Sequence, residues 1–129
     1  MGAEKSFEMR VKKFLASCGI YRLGTPIQDM KVLPVGYWEK RFGNKMTSSG
    51  LPDMHIVIKG VSLEVELKAP NGKASDLQKH MIEQINNSRC IGAIMYENRK
   101  DIPRCDYDYP HYICYEEFKE TVMYYANKS

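Results

Sequence analysis

Two β-prone runs of the sequence, MHIVI and VSLEVELKA, are separated only by Lys59 and Gly60. A two-residue connection that contains glycine predicts a tight β-hairpin. If Ile58 pairs with Val61, the register of every other pair follows by counting outward along both strands. Because side chains alternate between the two faces of a strand, one face of this ribbon collects apolar residues. The sequence therefore predicts an antiparallel ribbon with one buried face.

The opposite face of the ribbon collects charged side chains at its open end. Counting outward places Asp53 opposite Glu66, with Lys68 two residues further along the same face. Directly opposed like charges destabilise a strand pair, so the two carboxylates need a compensating partner. A divalent cation such as Mg²⁺ or Mn²⁺ supplies one, since hard ions bind carboxylate and carbonyl oxygens, and the Leu67 carbonyl is a third candidate donor. The alternative is an exposed polar face on which neighbouring Lys and His charges compensate the acids.

Patterns outside the ribbon predict an α/β fold, an α+β arrangement with a mixed sheet. Apolar residues at helical spacing predict a first helix over residues 4–17, closed by Gly19. The run VGYWEKRF is a candidate strand, and a second helix starts after Ser75. That helix leads into CIGAIMYE, a continuous apolar run typical of the second strand of a βαβ unit. The predicted core is thus a helix, three strands, a helix and a parallel strand.

The chain length and the C-terminal pattern predict one domain over residues 1–129. We expect a core over about residues 4–98 and a C-terminal extension over about residues 99–129. The extension contains a possible strand, HYICY, followed by helical periodicity in EEFKETVMYYANK. Its tyrosines are candidates for stacking on unpaired bases, and closing the core or a dimer interface is the alternative. These tyrosines are Tyr107, Tyr109, Tyr112 and Tyr115.

Composition argues against several classes of protein. The chain contains no apolar run near the eighteen or so residues of a membrane helix, so we expect no membrane partner and a cytoplasmic location. The four cysteines form no Cys-x-x-Cys pair, which favours free thiols over a zinc site or a disulfide framework. A formal charge of +3 permits a polyanionic partner without requiring one. Candidate phosphate contacts are Arg10, Lys12, Lys13, Lys40, Arg41 and Lys45.

The spacing of the charged residues also carries a family resemblance. GLPD, followed after twelve residues by ELK, resembles the Pro-Asp…(Asp/Glu)-x-Lys signature of restriction-endonuclease-like nucleases. The continuation KAPNGKASDLQ is similar to small stand-alone VRR-NUC domains of phages and bacteria. The resemblance extends from the first helix to about Tyr96. It implies a restriction-endonuclease-like core.

The resemblance also implies roles for individual residues. Asp53 and Glu66 would bind Mg²⁺ or Mn²⁺, Lys68 would be the catalytic lysine, and Gln78 would be a polar residue of the site. The first helix would contribute an acid, for which Glu8 is the candidate and Glu4 its competitor. Independently of the resemblance, Ser75-x-x-Gln78 is a capping box, so Gln78 has a purely structural alternative role.

The activity implied by the resemblance is that of a metal-dependent DNA endonuclease, a phosphodiester hydrolase without a small-molecule substrate. Stand-alone members of the family are associated with homodimers that cut branched DNA such as Holliday junctions, in the cytoplasm of a bacterial or phage-infected cell. The alternatives are a non-catalytic module on the same fold that binds nucleic acid or protein, and a nuclease directed at RNA.

Overall fold

A computed structural model describes residues 2–41, 50–106 and 108–129. Its helices are α1 (Ala3–Ser17), α2 (Asp76–Asn87) and α3 (Tyr115–Asn127). Its strands are β1 (Ile20–Arg22), β2 (Gly36–Lys40), β3 (Met54–Ile58), β4 (Val61–Lys68), β5 (Ile91–Tyr96) and β6 (Tyr112–Cys114). Short 3-10 turns lie at Ile27–Asp29, Arg99–Asp101 and Arg104–Asp106.

The six strands form one sheet in the order β1-β2-β3-β4-β5-β6. Strand β3 is antiparallel to both of its neighbours, whereas β1 is parallel to β2, and β4, β5 and β6 are mutually parallel. The predicted class, a mixed α/β fold with a mixed sheet, is therefore confirmed. The likeness of its core to restriction endonucleases stays a prediction.

The predicted hairpin forms between β3 and β4 in the expected register. Ile58 pairs with Val61, and the ladder continues outward to Met54 opposite Val65. Lys59 and Gly60 have φ angles of 47° and 86°. Positive φ at both central residues is what a type I′ turn requires, and this turn matches the twist of the two strands. The turn therefore fixes which residues face each other at the open end of the ribbon.

The two faces of the sheet are covered by different helices. Helices α1 and α3 pack on one face, where Phe7, Val11, Phe118 and Val122 join the apolar side of the hairpin. Helix α2 packs on the other face through Ile82, against a smaller cluster completed by Ile94, Tyr96, Ile102 and Tyr112. The charged side chains of β4 lie on this second face, since alternation separates them from the main core.

The C-terminal segment is built into the same sheet. The possible strand HYICY is present as β6, which pairs with β5, and the predicted last helix is present as α3. Strand β1, which lies in a stretch interrupted by Gly and Pro, was not predicted. Its start follows Gly19, whose φ of 83° ends α1 as expected, and a Cβ there would collide with the Leu33 carbonyl. No helix in the described part of the chain is long and apolar enough to span a membrane.

Candidate metal centre

The antiparallel ribbon brings the start of β3 and the end of β4 to the same edge of the sheet. Asp53 directly precedes Met54, the first residue of β3, and Glu66 directly follows Val65, the ladder partner of Met54. The Leu67 backbone N–H donates to Asp53 Oδ2 at 3.0 Å. The Arg41 backbone N–H donates to the Asp53 carbonyl at 2.7 Å, which fixes the main chain of Asp53 from the side of β2.

The backbone direction of Leu67 decides whether its carbonyl can act as the expected third metal ligand. In an antiparallel pair, one residue exchanges both its N–H and its C=O with the same neighbouring strand, so the two groups point the same way. The Leu67 N–H points to Asp53, and its carbonyl therefore faces the same end of β3. Continuation of the register would set Pro52 opposite Leu67, and proline has no N–H to give to that carbonyl. Pro52 thus leaves the Leu67 carbonyl oxygen available as a metal ligand beside the two carboxylates.

The Glu66 carboxyl group is nearly enclosed, with only 6% of the residue exposed. Gln78 Nε2 donates to Glu66 Oε2 at 3.1 Å, and Lys68 Nζ lies 3.6 Å from the same oxygen. Burial, followed by the negative charge of Asp53, raises the pKa of Glu66 to about 8, against the opposing effect of Lys68. Without a cation, a carboxylate at this position is therefore disfavoured at neutral pH.

The carboxyl group of Asp53 is likewise shifted toward its protonated form. Burial raises the pKa of its carboxyl group above the ordinary value, although the Leu67 N–H and the charges of Lys40 and Lys68 act in the other direction. Two adjacent acids with raised pKa values are typical of functional sites, and a bound cation would favour the ionised form of both.

Gln78 performs both of the roles considered for it. Its Oε1 accepts from the Ser75 backbone N–H at 2.9 Å, and its backbone N–H donates to Ser75 Oγ at 3.1 Å. These two bonds complete the capping box of α2. The other end of the same amide, Nε2, binds Glu66. The Gln78 side-chain oxygen caps the helix and the side-chain nitrogen binds the site, so the two roles do not exclude each other.

Lys68 is held at the rim of the site. Its side chain is 14% exposed, and Gly72, in the loop that follows, leaves room for Lys68 Cδ, which would lie 3.4 Å from a Cβ at that position. The Tyr96 hydroxyl donates to the Gly72 carbonyl at 2.7 Å and anchors this loop to β5. The ammonium group is therefore held near Glu66 by packing on its stem.

The candidate acids of α1 lie near the pair without contacting it. Glu8 Oε1 and Oε2 accept from Lys40 at 2.7 Å and from Lys12 at 2.9 Å. Burial opposes ionisation of Glu8, but the two lysines outweigh it and hold its pKa below the ordinary value. The charge of Glu8 raises the pKa of Asp53, and that of the exposed Glu4 raises the pKa of Glu66. The role of Glu8 as a ligand stays a prediction.

The chemistry of the donor set can be compared with the needs of a metal. In the described ranges, no three side chains from His, Cys, Asp and Glu are grouped so as to hold an ion. The remaining donors are the carboxylates of Asp53 and Glu66 and the Leu67 carbonyl. This all-oxygen set is too small to enclose an ion. It fits Mg²⁺ or Mn²⁺, which take carboxylate oxygens and retain several waters.

A second polar network lies on the same face. The hairpin register predicts His55 opposite Glu64, which the structure confirms, but the contacts that these two residues make with other side chains were not predicted. Glu64, 8% exposed, is bound by both terminal nitrogens of Arg41, with Nη2 to Oε2 at 2.9 Å. His55 Nε2 lies 2.8 Å from Ser62 Oγ, and Nδ1 lies 3.4 Å from Glu39 Oε1. The pairing of Glu39 with His55 and of His55 with Glu64 across three strands was the available signal. Arg41 is thus paired within the protein.

Several other predicted nucleic-acid contacts also have internal partners. Arg10 binds Glu97 at 2.6 Å, and Tyr109, Tyr112 and Tyr115 pack on the two apolar clusters, which is the alternative role considered for these tyrosines. Lys45 and Tyr107 lie outside the described residues.

We found no match to this chain among protein-family models, curated proteins or solved structures. The likeness to nucleases therefore depends on the motif residues and their arrangement at the edge of the sheet.

Proposed function

We propose that this protein is a divalent-metal-dependent nuclease that hydrolyses DNA phosphodiester bonds, acting on branched DNA as a homodimer. One observation carries the proposal. Asp53 and Glu66 lie at one sheet edge with a raised pKa for both carboxyls, next to Lys68 and on the side to which the Leu67 carbonyl points. A merely structural surface ribbon has no need of two like-charged acids, one buried and one half-buried, at its open end.

Each residue has a part that follows from its contacts. When bound, Mg²⁺ or Mn²⁺ would lower the pKa of a water molecule and neutralise charge at the scissile phosphate. Asp53 is aimed by the Leu67 N–H, and Glu66 is aimed by Gln78. The Lys68 ammonium would orient the attacking water and stabilise the negative charge that develops on phosphate oxygens. The buried side of the hairpin keeps these groups at fixed separations.

The preference for branched DNA and the dimer are the less direct part of the proposal. They follow from the resemblance to VRR-NUC domains. A closed two-fold dimer would present two equivalent sites, and two sites suit the paired nicks that resolve a four-way junction. Sedimentation of the protein with and without a four-way junction tests the dimer. A monomer in both conditions would contradict it.

The experiment that tests the activity is a cleavage assay with purified protein. A four-way junction, a flap, a linear duplex and a matched RNA duplex are each incubated with Mg²⁺, Mn²⁺ or EDTA. Lys68→Ala is the test variant. Lys73→Ala, which removes an exposed lysine from the loop after β4, is the matched control.

The outcomes separate the candidate functions. Metal-dependent cutting of the junction that Lys68→Ala abolishes and Lys73→Ala retains would support the proposal. Cutting of RNA alone would indicate the RNA-directed nuclease. Binding without cutting under any condition would indicate a non-catalytic module on the same fold.

A further inference from the structure

A surface cleft of about 500 Å³ lies in the connection between β5 and β6. Its lining residues are Arg99, Lys100, Ile102 and Arg104. Three of these four carry positive charge, and Ile102, which is 4% exposed, anchors the segment in the smaller apolar cluster. The cleft therefore has a fixed base and a cationic rim.

Two of the four acidic residues in this segment are occupied by cations from other elements. Glu97 binds Arg10 at 2.6 Å, and Asp106 binds Lys79 at 2.6 Å. Arg99 is paired with Glu117. Lys100 and Arg104, both exposed, form no hydrogen bond or ion pair with any described residue. Two cations at the rim thus have no ion-pair partner among the residues that the structure describes.

The start of the cleft segment lies at the same sheet edge as the candidate metal centre, where Arg99 pairs with Glu117 in the first turn of α3, directly after the end of β6. Strands β4, β5 and β6 are parallel, and Lys68 at the end of β4 is the ladder partner of Tyr96 at the end of β5. The chain leaves β5 at this edge and crosses toward β6 through the cleft segment. Two strand spacings amount to about 10 Å, which is about three base-pair rises of 3.4 Å along the axis of a DNA duplex.

We propose that the Lys100–Arg104 cleft binds the DNA phosphate backbone about three nucleotides from the scissile bond. The inference rests on the proposed function and adds a binding surface that the sequence motif does not contain. Lysine and arginine side chains without internal counter-charges release condensed counterions when they neutralise phosphates, which makes such contacts favourable and salt-dependent. The contact would position the strand without reading its sequence.

The test is DNA binding by fluorescence anisotropy in EDTA, so that neither metal nor cleavage enters the measurement. The test variant is Lys100→Ala with Arg104→Ala. The matched control is Lys59→Asn with Lys128→Ala, which removes two charges beside the β-hairpin turn, at the opposite edge of the sheet. Asparagine is chosen because residue 59 has a positive φ of 47°.

We expect the test variant to bind a labelled junction at least about tenfold more weakly at 0.1 M salt, with a salt-dependence slope smaller by about 2. The control should change the affinity by less than about threefold. Its Mn²⁺ affinity, like that of the test variant, should match the wild type.

An unchanged affinity and slope in the test variant, while the wild type binds, would overturn this inference and leave the proposed function standing. An equal loss in the control would overturn it too, because the effect would then be one of net charge. A wild type that binds no DNA would overturn the inference together with the proposed function.

Discussion

Replacing Glu66 by glutamine should stabilise the metal-free protein at alkaline pH. The unfolded chain ionises this acid near 4.5, whereas the folded protein holds its proton up to about 8. The folded pKa is the higher one, so the favourable contribution is complete below pH 4.5 and is lost as the pH rises to 8. At 1.36 kcal/mol for each pKa unit, the loss is about 3 kcal/mol at pH 7 and at most about 5 kcal/mol above pH 8.

Glutamine keeps the shape of the side chain and its acceptor for Gln78 but carries no charge. We therefore expect Glu66→Gln and wild type to be similarly stable at pH 5, and the variant to be the more stable at pH 8.5. Each 1 kcal/mol of gain corresponds to roughly 4 °C in melting temperature for a domain of this size. The assay is thermal unfolding in EDTA across this pH range.

Glu64→Gln is the matched control, since Glu64 lies two residues away on the same strand face. Its carboxylate is bound by Arg41, so the substitution breaks an ion pair and should lower stability. Addition of Mn²⁺ at a hundredfold excess over its Kd should stabilise the wild type by about 2.7 kcal/mol and the Glu66→Gln variant by much less. A Glu66→Gln variant whose melting temperature at pH 8.5 in EDTA is no higher than that of the wild type would refute the raised pKa of Glu66.

Three further predictions concern the loop that leads into β3. Asp53→Ala should abolish cleavage and Mn²⁺ binding while raising the metal-free melting temperature, because it removes one of two opposed acids; cleavage by the folded variant would contradict its role. Pro52→Ala supplies an N–H that can donate to the Leu67 carbonyl, so calorimetry should show weaker Mn²⁺ binding with the fold retained. An unchanged Kd would contradict the role of Pro52 in keeping that carbonyl available. Gly50→Ala should cost about 1–3 kcal/mol in urea unfolding, because the new Cβ would lie 2.6 Å from Leu77 Cγ, and full stability would show that the Leu77 side chain moves aside.

The hairpin was predictable because its turn is two residues long and contains Gly60. Such a turn leaves one register, and the register alone sets Asp53 beside Glu66. The capping box of α2 was equally predictable from the sequence, since it depends on two residues three positions apart. These features are local in the sequence, so the pattern of residues contains the information needed to predict them.

Other features depend on contacts between distant segments. Strand β1 is three residues long among glycines and prolines, and it exists because β2 pairs with it and α1 packs beside it. The pairing of Glu8 with Lys40 and of Arg41 with Glu64 joins residues 32 and 23 positions apart. Neither pair has a spacing rule, so sequence reasoning left Arg41 and Lys40 as candidate phosphate contacts.

The shared use of the Gln78 amide restricts what this position can accept in any variant of the protein. Asparagine is one methylene shorter. Glutamate would keep the acceptor for the Ser75 N–H but would turn a second carboxylate toward Glu66, and lysine or arginine would lose the acceptor. Glutamine alone among the common side chains of this length offers an acceptor and a donor together. A library that randomises residue 78 should therefore return glutamine when it is selected for activity.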